Sequence, residues 1–270
     1  MNDTVLQAAY VLHYTDFRDT SFIVESFTLQ HGRVSLVARG ARSARSKTRA
    51  LYQPFRPLLL SWAGRSELRT LTGIEDSGAA YQFDNKALAC AYYVNELLLR
   101  LLGKDQAQPE LFAHYVMALS ALADESSVEK TLRTFELQLL EAIGILPDLS
   151  RCTAEGSAID PQQQYRFHPA NVVAVPLIEK ANYGNLKPEN TISVRDPSLH
   201  ADGETVDAGI EISGQALLAM ANLELSDPQV CEQAKPLMRQ LLNIQLGGKP
   251  LKSRELFGAL VKPGEPVSEA

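Results

Sequence analysis

From Arg33 to Arg39 the chain alternates: Val34, Leu36 and Ala38 fall on one side, Arg33, Ser35, Val37 and Arg39 on the other. That period of two belongs to a strand with one buried face. Similar short runs occur at Val5–His13, Ser21–Thr28, Pro54–Ala63 and Glu67–Ile74. Turn chemistry separates them at Gln30-His31-Gly32 and Gly64-Arg65-Ser66, where glycine supplies the conformations a tight reversal needs. Five strands in fewer than eighty residues, with an irregular loop after the third, predict a small closed or partly open barrel. The OB-fold is one five-stranded solution; strand count alone also admits an SH3-like barrel.

After Asp76 the period lengthens. Asp84 is placed to cap a helix from Asn85 to Leu102, ended by Gly103. Its faces are nearly all apolar, with Leu88, Tyr92, Leu98 and Leu102 among them, which predicts a central, buried helix. Asn95 and Glu96 interrupt it and need hydrogen-bond partners if buried; a structural role explains them better than catalysis. Pro109 opens a second helix to Ala123. Ser126-Ser127-Val128-Glu129 has the form of a capping box for a third, with Val128, Leu132, Phe135, Leu139 and Ile143 as its core stripe and Gly144 beyond. Residues 147–212 hold six of the 14 prolines and lose helical periodicity, so loops with short strands near Tyr165–Phe167 and Val172–Val175 are expected. Helices resume at Ser213–Leu225 and Asp227–Leu246, with Pro236 placed to kink the latter, and a short one is expected after Ser253. The reading is an α+β protein: a barrel domain over residues 1–80, then a mainly α-helical domain over 81–270 with a Pro-rich irregular insert.

Composition changes this picture through charge. The 270 residues carry 26 Lys and Arg against 32 Asp and Glu, a net charge of −6. Between Arg33 and Gly73, however, nine cations (Arg33, Arg39, Arg42, Arg45, Lys47, Arg49, Arg56, Arg65 and Arg69) meet only Glu67. That segment is +8 and the remainder −14. A polyanion responds to the field within a Debye length of about 10 Å, not to the average charge, so an acidic chain can own a basic face. Small and hydroxylated spacers from Ala38 to Arg49 leave the backbone free to follow an irregular phosphate path. The plain alternative, a solvated loop, does not explain why the imbalance continues into the flanking strands.

Other chemistry is thin. Three distant cysteines, Cys90, Cys152 and Cys231, are no disulfide scaffold. His13, His31, His114, His168 and His200 lack metal-ligand spacing, and Glu155 stands where a Cys-x-x-Cys knuckle would need its second cysteine. Gly247-Gly248-Lys249-Pro250 fails as a phosphate loop because Pro250 replaces the Ser or Thr that would hold magnesium. No cofactor and no metal are expected. No long apolar run marks a membrane span, and neither a basic leader nor a cleavage signal precedes the first strand, so a cytoplasmic, nucleoid-associated location is expected. Asp16, Asp19 and Glu25 could be imagined as a nuclease carboxylate cluster, and a protein-binding adaptor without DNA affinity is a further alternative.

Several ordered blocks carry a resemblance. They are GRVSLVARGARS at Gly32–Ser43, Gln53-Pro54-Phe55 with Leu58-Leu59-Leu60, YVNELL at Tyr93–Leu98, LRTFEL at Leu132–Leu137, and LGGKPLKSRELF at Leu246–Phe257. Together, from about Val5 to Phe257, the chain resembles the RecO family of DNA repair proteins. The resemblance implies an N-terminal OB-fold followed by helices. It further implies a non-enzymatic recombination mediator that binds single- and double-stranded DNA, anneals complementary strands, and works with RecR and the single-stranded DNA-binding protein SSB to load RecA. Many relatives carry a four-cysteine zinc site after the third helix; Cys152 alone remains here, which implies a metal-free vestige.

On this basis Arg33, Arg39, Arg42, Arg45, Lys47 and Arg49 are the expected phosphate contacts, with Arg56, Arg65 and Arg69 widening the track. Lys249, Lys252 and Arg254 form a second basic patch, read equally well as a DNA contact or a structural turn. Tyr14, Phe17, Phe22 and Trp62 are candidates for base stacking, with a core role favoured for Phe22 and Trp62. The acidic SSB tail, ending in Phe, needs an apolar pocket rimmed by a cation. Arg133, Leu137 and Leu140 follow helical spacing on a stripe apart from the core stripe and are the expected site; an Arg133–Glu136 surface pair is the plain alternative.

Overall fold

A computed structural model describes residues 5–124, 127–169, 173–177 and 209–253. Five strands, β1 (Gln7–Phe17), β2 (Ser21–Thr28), β3 (Gly32–Ala38), β4 (Leu58–Ala63) and β5 (Leu68–Asp76), close a barrel in the order β1-β2-β3-β5-β4. Closure is made by a parallel β3–β5 pairing, in which Leu36 stands opposite Arg69, among otherwise antiparallel neighbours. The OB-fold expectation holds. The alternation read in β3 is realised: Val34, Leu36 and Ala38 are buried with Val11, Val24 and Leu60 in the barrel core. Burying each Leu or Val side chain there contributes about 1.5–3 kcal/mol.

Two strands, β1 and β4, depart from the expected bounds by more than two residues. β1 runs on past His13 to Phe17, although its last residues are mostly exposed, because each still pairs with β2, as Tyr14 does with Val24 and Phe17 with Ser21. Hydrogen bonding, not burial, extends it. β4 starts at Leu58 and not Pro54; Pro54 and Pro57 lack the N–H a ladder needs, and Phe55 takes a positive φ of 67°. The connection before it contains a 3-10 turn at Arg49–Tyr52 that buries Tyr52 in the barrel core.

Helix α1 (Asn85–Leu101) is capped by Asp84, whose carboxylate accepts from the Ala87 amide at 2.6 Å. It is buried through most of its length, though Tyr92 is exposed. Helices α2 (Pro109–Ala123) and α3 (Val128–Ala142) follow. Ser127 is the N-cap of α3 and makes no side-chain capping bond; Ser126, on which the expected capping box rests, lies outside the described residues. The α1–α2 connection rests on the barrel's β2–β3 turn. Gly32 is required there: its φ is +64°, and a Cβ would stand 1.8 Å from the Gln106 carbonyl oxygen. The Asp105 amide donates to the Arg33 carbonyl at 2.9 Å, and Arg33 Nε donates to the Leu102 carbonyl at 3.1 Å.

The chain divides into two compact units, residues 1–146 with 242–270, and residues 147–241. The second holds a three-stranded sheet in the order β7-β6-β8, from β6 (Gln164–His168), β7 (Val173–Pro176) and β8 (Ile210–Ser213), with α4 (Gly214–Ala221) and most of α5 (Pro228–Gln245). The third strand was not legible in a segment read as loop, and α4 stops four residues earlier than expected, at Ala221. Cys152 is buried in this unit and its thiol donates to the Leu149 carbonyl at 3.5 Å; burial pushes its pKa up to about 11. The helix expected after Ser253 lies outside the described residues. Among the described residues no helix is long and apolar enough to cross a membrane.

Candidate nucleic-acid interface

The loop leaving β3 is held in place by its own backbone. Gly40 turns it at a φ of +70°, and Ala41 drops into the barrel core. The Arg42 amide donates to the Thr20 carbonyl at 2.9 Å, and its guanidinium reaches Asp16 Oδ2 at 3.2 Å and the Arg18 carbonyl at 3.5 Å. The loop is thereby pinned to the β1–β2 turn. Arg39, Arg45, Lys47 and Arg49 are exposed and carry no ion pair among the described residues. Arg18 joins them from the β1–β2 turn, its guanidinium carbon 5.1 Å from the centre of the Phe17 ring. Sequence reasoning missed Arg18, because it stands between Asp16 and Asp19 and outside the charge-dense run.

The remaining cations of that run do not join this surface. Arg33 pairs with Glu25 at 3.0 Å and Arg69 with Asp105 at 2.8 Å, both guanidinium groups largely buried. Arg56 is held by Asp76 at 2.6 Å. Arg65 is exposed in the β4–β5 turn. That turn follows Trp62, whose ring lies 5.3 Å from His31, so it sits at the β2–β3 end of the barrel, away from the loop after β3. A strand places successive cations on opposite faces and ends, which the charge count cannot register. The imagined nuclease carboxylates are likewise apart in role: Arg42 takes Asp16, while Arg33 and the Ser35 hydroxyl take Glu25. No group of three metal-binding side chains occurs among the described residues.

Of the stacking candidates, Phe22 is buried in the core and Trp62 is packed against it. Tyr14 remains 37% exposed above Phe22, ring centres 4.9 Å apart. It lines a cleft of about 590 Å³ together with Lys47 and Arg49.

Lys249 and Lys252 are exposed on a segment clamped to α1. Arg100 donates to the carbonyls of Leu246, Lys249 and Pro250 at 3.3, 3.1 and 2.9 Å. The Lys252 and Ser253 amides donate to the Glu96 carboxylate at 2.9 and 2.8 Å. Arg254 lies outside the described residues.

On α3 the geometry corrects the surface-stripe reading. Leu137 and Leu140 are fully buried, and the Arg133 side chain is 7% exposed. Arg133 donates to Glu136 Oε1 at 2.6 Å, and the same oxygen accepts from the Tyr93 hydroxyl at 2.6 Å. The pair exists, but inside the molecule, because α3 is covered on more than one side. The open apolar surface nearby is a groove of about 510 Å³ between α2 and α3, bounded by His114, Met117, Ala121, Lys130, Thr134 and Gln138. Met117 is 65% exposed there.

Residues 1–79 match the family model described as Recombination protein O N terminal, and residues 82–255 match Recombination protein O C terminal. Similar curated proteins include the DNA repair protein RecO of Actinobacillus pleuropneumoniae serotype 5b, 37% identical over 253 residues, covering 93% of this chain and 94% of that one. That of Haemophilus influenzae strain 86-028NP is 38% identical over 252 residues, covering 93% and 95%. That of Burkholderia lata is 39% identical over 251 residues, covering 93% and 81%.

Proposed function

The chain belongs to the RecO family and so serves DNA repair and recombination, and from that premise we propose that it acts by binding and positioning DNA strands without making or breaking bonds. The observation that carries the proposal is the pinned loop with Arg39, Arg45, Lys47 and Arg49 open to solvent and free of ion pairs among the described residues. Contacts to phosphate release counterions and are indifferent to base sequence, so single and double strands are both ligands. Two complementary strands repel each other as polyanions; cations between them lower that repulsion and hold the strands until bases pair. Residues 1–80 supply this surface, and residues 81–270 supply protein contacts.

Among the partners, the SSB tail is matched by chemistry to the α2–α3 groove. Its terminal Phe calls for apolar surface, which Met117 and Ala121 offer, and its acidic residues call for a cation, which Lys130 offers at the rim. The family's recombination role supports the wider assignment: with RecR, the protein helps place RecA on SSB-coated strands, in the cytoplasm at the nucleoid. The test is annealing of SSB-coated complementary strands by wild type and by a triple variant, Arg45→Glu, Lys47→Glu and Arg49→Glu, which leaves the Arg42 pin to Asp16 in place. Loss of annealing with an unchanged unfolding midpoint is expected; undiminished annealing refutes the proposal.

A further inference from the structure

Next to the cationic loop lies an aromatic cleft whose walls come from four separate stretches of chain. Tyr14 belongs to β1, Phe55 to the connection before β4, Tyr81 and Phe83 to the segment before α1, and Tyr92 to α1. Its volume is about 710 Å³, within the roughly 300–1,000 Å³ range of small-ligand pockets. Phe55 is the floor: its ring centre lies 5.2 Å from Phe83 and 5.0 Å from Tyr92. It is held there at a φ of +67°, a costly backbone state that clusters at ligand clamps. The rings of Tyr81 and Phe83 lie within 22° of parallel. Rings that serve only a core are covered; Tyr14 and Tyr92 are 37% and 36% exposed. Amide and imidazole groups of Gln53, Gln82 and His13 rim the opening.

The cleft shares Tyr14 and Gln53 with the neighbouring cleft that carries Lys47 and Arg49. A strand whose phosphates lie on those cations is led directly to the aromatic walls. Flat apolar faces with polar edges suit nucleobases, and the amides, which both donate and accept, suit any base edge. Paired bases are stacked inside a duplex and cannot enter. We propose that this cleft receives unpaired bases of single-stranded DNA and is the part of the surface that distinguishes single strands from duplexes. The proposal rests on the DNA-binding reading above, and adds to it Tyr81, Phe83 and Tyr92, which lie outside the barrel strands.

The test is fluorescence anisotropy with three labelled probes of equal length: an oligothymidylate, an abasic strand and a duplex. The full-length wild type is compared with Tyr14→Ala/Tyr92→Ala, with Tyr14→Ala alone, and with Tyr14→Phe/Tyr92→Phe. Stacking predicts that the double alanine variant binds oligothymidylate roughly tenfold to a hundredfold more weakly. Abasic and duplex affinities stay within about twofold, the salt slope is unchanged, and the phenylalanine pair restores binding. If the double variant is destabilised in urea, Tyr14→Ala gives the same discrimination at a smaller size. Equal losses on base-bearing and abasic strands, or none on either, overturn the inference while leaving DNA binding intact. So does loss of RecR binding with single-strand affinity retained, which assigns the cleft to a protein. A wild type that shows no salt-dependent binding to any probe removes the DNA-binding reading itself.

Discussion

Asn95 on α1 donates its side-chain amide to the carbonyl of Leu12 on β1 across 3.0 Å. The strand register explains why that carbonyl needs a partner. β1 pairs with β2 through Val11 and again through His13, with a shift between them that leaves Leu12 out of the ladder. Tyr115 completes the arrangement by donating its hydroxyl to Asn95 Oδ1 at 2.8 Å. A bulge in the barrel is thus satisfied by a helix, and the polar residue that interrupted an apolar helix in the sequence has a structural role.

Replacing Asn95 by Leu keeps the volume and leaves two buried groups without partners. The expected cost is about 3 kcal/mol, since each orphaned group costs ~1–3 kcal/mol. Urea unfolding should show a lower midpoint at an unchanged slope. Because Asn95 is buried and its side-chain hydrogen bonds go to Leu12 and Tyr115, not to the loop cations, the salt dependence of DNA binding should not move.

Glu96, the neighbouring polar interruption, has a different task. Burial by itself would raise its carboxyl pKa, but the Ser253 and Lys252 amides and the Arg100 guanidinium outweigh burial and hold it below the ordinary carboxylate range. A pKa lowered by folding stabilises the protein above the unfolded-state pKa, and that stabilisation disappears as pH falls through the folded-state value. Glu96→Gln should therefore lower the melting temperature at pH 7, and the gap from wild type should narrow steadily below about pH 4.5. A gap that widens in acid would show that the carboxylate does not clamp the 246–253 segment.

These two residues also show what the sequence can and cannot reveal. An Asn and a Glu within a run of apolar residues announce buried hydrogen bonds, but their partners, Leu12 and Ser253, are 83 and 157 residues away. The barrel was readable because strand period, turn glycines and the irregular loop all agree locally. The extent of β1 was not, because its far half is held by pairing and has no apolar alternation. The cationic loop was readable from charge density. Which arginines stay free was not, because Glu25, Asp76 and Asp105 reach Arg33, Arg56 and Arg69 only through tertiary structure. Arg133 illustrates the reverse error: helical spacing gives a stripe, and only the fold says whether that stripe faces water.

The division between free and paired cations predicts distinct salt behaviour. If Arg39, Arg45, Lys47 and Arg49 engage phosphates, log K for single-stranded DNA should fall with log salt at a slope of about −3, each contact contributing ~0.7. Replacing Arg45, Lys47 and Arg49 with Ala should bring the slope to about −1 without changing the unfolding midpoint. Arg69→Ala should do the opposite, leaving the slope unchanged while removing the partner of Asp105. Equal slopes for both variants would show that charge near the barrel acts without regard to position.

The buried Arg133–Glu136 pair and the open α2–α3 groove lie on the same helices but respond differently to substitution. Removing Arg133 leaves the Glu136 carboxylate, 1% exposed, without its guanidinium partner. Breaking a buried pair from one side costs about 3–5 kcal/mol, so Arg133→Ala should unfold at markedly lower urea concentration. Met117→Asp changes a side chain that is already 65% exposed, and its stability should stay within about 0.5 kcal/mol of wild type. An acidic peptide ending in Phe, titrated calorimetrically, should lose about tenfold or more in affinity for Met117→Asp, because the variant places a carboxylate where an apolar anchor and its acidic neighbours would sit. Lys130→Glu at the groove's rim should weaken the same peptide, and more at low salt than at high, since an exposed charge is screened. The contrary pattern, in which Arg133→Ala folds normally yet no longer binds the peptide while Met117→Asp binds as wild type, would place the tail on α3 at Arg133 and require that helix to open.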